Sequence, residues 1–237
     1  MANNFPKNIS QFTTMKNNAY TSIILSLLIM ANVGMSPSWS FATEPTGISR
    51  LIQVSESSIK TGLPSSTRPL FTASELEAFL HELEGIPPEW NLYHDRPGDE
   101  LGERIFTLNR ARDEARNGHQ LLRQHIAFFW SGFLRKYDIH HQGFRVAVGP
   151  VLTQTKWGIV RFKPVNLPND MLAVPSKKLL KILQAKISQG KQIEITILYT
   201  GHLIPHESLM YTFSHDDTGL GMILPFVKID EVQYLVK

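Results

Sequence analysis

Six ligand-type side chains crowd one short stretch near the C-terminal end of this chain: His202, His206, Glu207, His215, Asp216 and Asp217. Imidazoles and carboxylates together suit zinc and similar divalent ions, and His202 and His206 stand at the spacing of one helical turn. Gly201 and Pro205 break a helix there, so the expectation is a loop. If that loop folds back, His202, His206, His215 and Asp217 become one metal site, and a metal-assisted hydrolase working from residues 202–217 becomes one functional reading. The closed Cys/His zinc patterns and the His-Glu-x-x-His signature are missing from the sequence. The first expectation is therefore no cofactor, with zinc or another divalent ion as the alternative.

Other short patterns carry less. Asp217-Thr218-Gly219 matches the aspartic-protease tripeptide, but Ser214-His215-Asp216 before it is too polar for the apolar strand that such a site requires. It reads as a turn. His140-His141-Gln142-Gly143 reads as a hairpin connection with Gly143 as its turn residue. Residues 109–116 form a charge run with partners one helical turn apart, expected to be a solvated helix face. The sequence has no Gly-x-Ser-x-Gly, phosphate loop or dinucleotide fingerprint.

A second candidate site is a face rather than a loop. Arg145, Trp157, Arg161 and Lys163 interleave with Phe144 and Phe162. Aromatic rings can stack on a sugar or a base while a guanidinium holds an anion. Strand alternation alone, with Phe144 and Phe162 inside and the charges outside, produces the same pattern.

The elements that must position these residues begin at Phe71. Thr72-Ala73-Ser74-Glu75 has capping-box spacing. Leu76, Phe79, Leu80 and Leu83 then recur at helical period, and Gly85 with Pro87-Pro88 ends the helix. A second helix is predicted from about Pro97 to Arg116, with Leu101, Ile105, Leu108 and Ala115 on one stripe and Asn117-Gly118 as the stop.

From His125 the pattern turns to strands. The first covers 125–137 with Gly132 at its middle, the second centres on Phe144, Val146 and Val148, and the third runs 157–163. A helix over 176–189 follows, with Leu179, Leu183 and Ile187 on one face and Gly190 as its cap. Ile193, Ile195, Ile197 and Tyr199 then alternate, and a last extended region spans 223–236.

This order, β-β-β-α-β-β, is similar to the OB-fold, a five-stranded Greek-key barrel. Gly132 fits the sharp coiling of a long first strand. The expected class is therefore α+β: N-terminal helices over 71–118, then a five-stranded OB-like barrel, or a strongly coiled sheet, over 124–237 with one internal helix. Such barrels bind oligonucleotides and oligosaccharides on the face where Arg145, Trp157, Arg161 and Lys163 would sit.

Residues 1–42 read as a signal peptide. Lys7 and Lys16 precede an apolar core at 23–31, Pro37 breaks it, and Ser40-Phe41-Ala42 offers small residues at the positions a signal peptidase inspects. The expected location is periplasmic or secreted. The alternative is an uncleaved inner-membrane anchor at residues 19–35, at the short limit for spanning. Residues 43–70, rich in Ser, Thr, Pro and Gly, read as a flexible linker.

Charge and cysteine content narrow the partners. Removing the two leader lysines from 24 basic residues leaves 22 against 21 acidic ones, a balance of +1 rather than +3. That gives no general field for nucleic acid. The chain has no cysteine, which excludes a thiol nucleophile and a Cys-type zinc site. The sequence thus points to a non-catalytic binding or accessory domain for a peptide, a glycan or an envelope protein, with an envelope scaffold as a further alternative.

Overall fold

The computed structural model describes residues 45–54, 59–60, 62–93, 98–213 and 221–236. The expected leader, and His215, Asp216 and Asp217, lie outside these residues. The elements are β1 (Ile48–Gln53), β2 (Thr67–Pro69), α1 (Ala73–Glu84), α2 (Gly98–Arg116), β3 (His125–Asp138), β4 (Gly143–Gly149), β5 (Thr153–Thr155), β6 (Gly158–Val160), β7 (Lys163–Pro164), β8 (Leu172–Pro175), α3 (Lys177–Ser188), β9 (Glu194–Leu203), β10 (Leu209–Phe213) and β11 (Gly221–Val236).

Among the described residues this is a mixed α+β protein with three α-helices and a closed β-barrel. Six strands form the barrel in the order β1-β8-β4-β3-β9-β11, and β11 returns to β1. The remaining strands are short and attach at the rim, β2 on β3 and β6, β7 and β10 on β11, with β5 pairing β6.

Period-two alternation explains the barrel's filling. Ile126, Phe128, Trp130 and Leu134 of β3 are buried in the main core, as are Ile195, Ile197, Tyr199 and Leu203 of β9. The Phe128 ring stacks on Phe162 at 4.2 Å and lies 5.4 Å from that of Tyr199. Gly132 sits where a barrel this narrow needs no side chain, since a Cβ there would meet Ile197 Cδ1 at 2.8 Å and the Ala147 carbonyl oxygen at 3.0 Å.

The α1 helix starts as its sequence requires. Glu75 N–H donates to the Thr72 hydroxyl, and the Glu75 carboxylate accepts from the Thr72 amide. Leu76, Phe79, Leu80 and Leu83 are all buried. The α3 helix opens on Ser176, whose hydroxyl accepts from the Leu179 amide, and it buries Leu179 and Leu183.

Three expectations are corrected. Residues 43–70 are not simply a linker: Ile48–Gln53 is the barrel strand between β8 and β11, held by parallel pairing on both sides. Its alternation is weak because Leu51 alone points its bulk inward. The third barrel strand is β8, not residues 157–163, which supply only β6, β7 and the buried Phe162. Finally, α2 does not dock on a hydrophobic stripe. Leu101, Ile105 and Leu108 are half-buried and Ala115 is exposed, while Arg116 is 1 % exposed.

Polar bonds hold α2 instead. Asn109 uses its side-chain amide like a strand's backbone, donating to the Tyr211 carbonyl at 2.8 Å and accepting from the Tyr211 N–H at 2.7 Å. Arg116 Nη2 donates to the Leu209 carbonyl at 3.1 Å. The helix thereby covers the edge of β10 that would otherwise stay open to pairing.

Candidate metal centre

Two histidines meet on the outer face of the barrel because strand register puts them there. His125 opens β3 and His202 lies near the end of β9, and the two are directly opposed in the antiparallel ladder. Opposed residues share a face, and the imidazole centroids are 4.9 Å apart.

The third member comes from a break in alternation. On β11 the core residues are Ile223, Val227 and Ile229, then Val232, Tyr234 and Val236. The phase changes at Asp230, where the β9–β11 register slips between Ile229 and Glu231. This bulge turns Asp230 toward the histidine pair. Asn166 fastens it from the other side, accepting from the Ile229 N–H at 2.7 Å and donating to the Ile229 carbonyl at 3.0 Å.

Asp230 Oδ2 lies 3.4 Å from His202 Nε2 and 3.6 Å from His125 Nε2. These separations exceed an ordinary N–H···O hydrogen bond. They match the edge of a zinc tetrahedron, roughly 3.3 Å for metal–ligand bonds of about 2.0–2.1 Å. One ligand atom from each of the three residues falls within 4.8 Å of the others.

The far side of each ring is also engaged. His202 Nδ1 is 3.2 Å from the Arg123 carbonyl oxygen, which can only accept, so Nδ1 is the donor of that bond and Nε2 is the nitrogen turned toward Asp230. His125 Nδ1 is 2.7 Å from the hydroxyl of Thr67, a buried residue of β2. Outer hydrogen bonds of this kind orient metal-ligating histidines. Burial first, and the neighbouring His202 second, hold the His125 pKa below the ordinary imidazole value, against the opposing pull of Asp230 and Glu231. Burial thus favours the neutral ring, the form that ligates.

Chemically the trio offers two imidazoles and a carboxylate, partly open to water. The His202 and Asp230 side chains are each 46 % exposed and that of His125 is 25 % exposed. Three protein ligands with an open side leave a coordination position for water or another donor, unlike a closed four-ligand structural site.

Of the four loop residues expected to ligate, His202 is the one that joins this cluster among the described residues. His206 sits exposed on the bend after β9 and joins no ligand cluster among the described residues. His215 and Asp217 lie outside those residues. The expected binding face does not assemble either. Trp157 is 4 % exposed, with its carbonyl accepting from the Trp90 indole at 2.7 Å, so its ring offers no stacking surface. Arg145 on β4 pairs with Asp138 at 3.2 Å and Asp170 at 3.5 Å. Lys163 on β7 lies over the Phe226 ring, 4.8 Å from its centroid, and Arg161 is exposed between β6 and β7. Trp157 is buried because it fills the rim beneath α1 rather than a ligand groove; Glu77 of that helix accepts from the Lys156 amide at 2.7 Å.

His125 and Asp230 were missed. Nothing local marks His125, whose partner is distant in sequence. Asp230 did leave a signal: Ile229-Asp230-Glu231-Val232 interrupts an otherwise regular alternation, the pattern of a bulge. No known protein family, curated protein or solved structure matches this chain.

Proposed function

We propose that this protein is an exported binding module whose barrel holds a divalent metal ion at His125, His202 and Asp230. The observation that carries the reading is the pair of Nε2···Oδ2 separations, 3.4 and 3.6 Å, on histidines whose other nitrogens are already engaged. Two imidazoles and a carboxylate suit zinc, and this donor set also takes other first-row divalent ions. Export rests on the leader pattern of residues 1–42. The barrel supports an OB-like reading: β3, β4, β8, α3, β9 and β11 follow that fold's order, with β1 filling the gap that leaves the usual five-stranded form partly open. This site is preferred over the alternative of a hydrolase site in the 202–217 loop, because the cluster draws His125 and Asp230 from barrel strands outside that stretch and shares only His202 with it.

The test is thermal unfolding of purified, chelator-stripped protein with and without zinc. Free zinc at a hundred times its Kd stabilises by about 2.7 kcal/mol, an expected rise in Tm of roughly 5–10 °C. His202→Ala and Asp230→Asn should each abolish the rise, and His206→Ala should leave it intact. An unchanged Tm for the unsubstituted protein, with no zinc retained after dialysis, rejects the metal reading.

A further inference from the structure

We propose that the ion at this site takes a small oxyanion, a carboxylate or a phosphate, as its external ligand, and that Lys228 holds the anion's far oxygen. This rests on the metal reading above. The barrel register sets one continuous row across its outer face. Lys228 opposes His202, His202 opposes His125, and His125 opposes Thr67. Directly opposed residues have Cβ atoms about 5 Å apart, so the flexible lysine stem starts one strand away from a ligating imidazole and on the same face.

Lys228 is exposed, and among the described residues it has no ion-pair partner. Its two acidic neighbours are otherwise engaged. Asp230 is a proposed ligand, and Glu231 Oε1 accepts from Gln233 Nε2 at 2.8 Å. A divalent ion is balanced in formal charge by Asp230 and the nearby Glu231, and Lys228 then adds one positive charge. The strand register thus sets a cationic side chain beside a ligating imidazole. A neutral water fills the open coordination position but leaves the ammonium unpaired, whereas an oxyanion satisfies both. The bulge that aims Asp230 also keeps Lys228 and Glu231 on this face, because the extra residue falls between them.

Cobalt(II) is the probe, since its visible spectrum reports exchange of a ligand. Cobalt-loaded protein is titrated with inorganic phosphate and, separately, with acetate, which distinguishes the two kinds of oxyanion. The expected result is a spectral change with at least one of them, and Lys228→Met that binds cobalt as tightly as the unsubstituted protein but the anion roughly tenfold more weakly. The inference is overturned if neither anion changes the spectrum of the cobalt-loaded protein, or if Lys228→Met binds the anion with unchanged affinity. Absence of any cobalt spectrum at all overturns the metal reading itself, and this inference with it.

Discussion

Arg116 has the environment least like the one its neighbours in sequence suggest. It closes a run of charges expected to face water, and Arg110 and Glu114 of that run do form an exposed pair. Arg116 instead is 1 % exposed and pairs with Glu84 at the end of α1, with Asp113 one turn back, and with the Leu209 carbonyl. Arg112 and the Tyr211 hydroxyl converge on the same Glu84 carboxylate. Burial, and then the charge of Glu84, drive the Tyr211 phenol's pKa far above its ordinary value, so it acts only as a donor. Removing one partner of a buried ion pair leaves the other charged without compensation. Arg116→Met should therefore destabilise the protein by about 3–5 kcal/mol, read as a lower urea midpoint with unchanged slope. Arg116→Lys should recover only part of that loss, because one ammonium cannot serve Glu84, Asp113 and Leu209 in the geometry of a planar fork. A loss below 1 kcal/mol in Arg116→Met would show that Arg112 alone balances Glu84.

At the scale of elements, local chemistry was legible and long-range pairing was not. The capping box at Thr72 and Glu75, the buried face of α1, the Ser176 start of α3 and the strand around Ile195 and Ile197 each follow from spacing within a few residues. The hairpin after β3 was placed correctly, but its left-handed residue is Gln142, with φ 52°, and Gly143 already belongs to β4. The candidate metal centre was half-legible: His202 could be named from its type, whereas His125 and Asp230 reach it only through β3–β9 register and a bulge on β11. Two consequences belong to these elements. Asn166 bonds both backbone groups of Ile229, so Asn166→Ala should let the bulge relax and weaken zinc binding roughly tenfold by calorimetry, the scale of outer-shell losses; unchanged affinity would mean the bulge holds itself. Glu75 is the second case. Burial raises its pKa, but bonds from Lys60 and from the Phe71 and Thr72 amides outweigh this and leave it below its ordinary value of 4.5. A carboxyl depressed in the folded state stabilises above its unfolded pKa, and that contribution fades as pH falls from about 4.5 through the folded value. Glu75→Gln should thus lower Tm at pH 7 and converge with the unsubstituted protein in acid.

The barrel as a whole depends on a segment whose composition argues for disorder. Ser, Thr, Pro and Gly dominate residues 43–70, yet Ile48, Ser49, Arg50 and Leu51 pair with Leu172, Ala173, Val174 and Pro175, and Leu51, Ile52 and Gln53 pair with Tyr234, Leu235 and Val236. Backbone hydrogen bonding, rather than side-chain hydrophobicity, makes this strand, and composition does not register it. Further bonds tie its ends: the Tyr234 hydroxyl donates to the Gly47 carbonyl at 2.5 Å and the Val54 amide to the Val236 carbonyl at 3.2 Å. Gly47 admits no side chain, since a Cβ would lie 2.0 Å from the Asp170 carbonyl oxygen. Without β1, β8 and β11 would each expose a row of unpaired backbone groups, and the Tyr234 hydroxyl would lose its acceptor inside the wall. Open strand edges recruit other chains. A chain beginning at Glu44 should therefore keep the stability of the full sequence and elute as it does on gel filtration. One beginning at Ser55 should melt at least 10 °C lower, as roughly 3 kcal/mol or more lost in a domain of this size requires, and should elute as larger species. Equal Tm and equal elution for the two truncations would mean that the other five strands close the barrel without β1, and that residues 43–54 are the spacer their composition suggests.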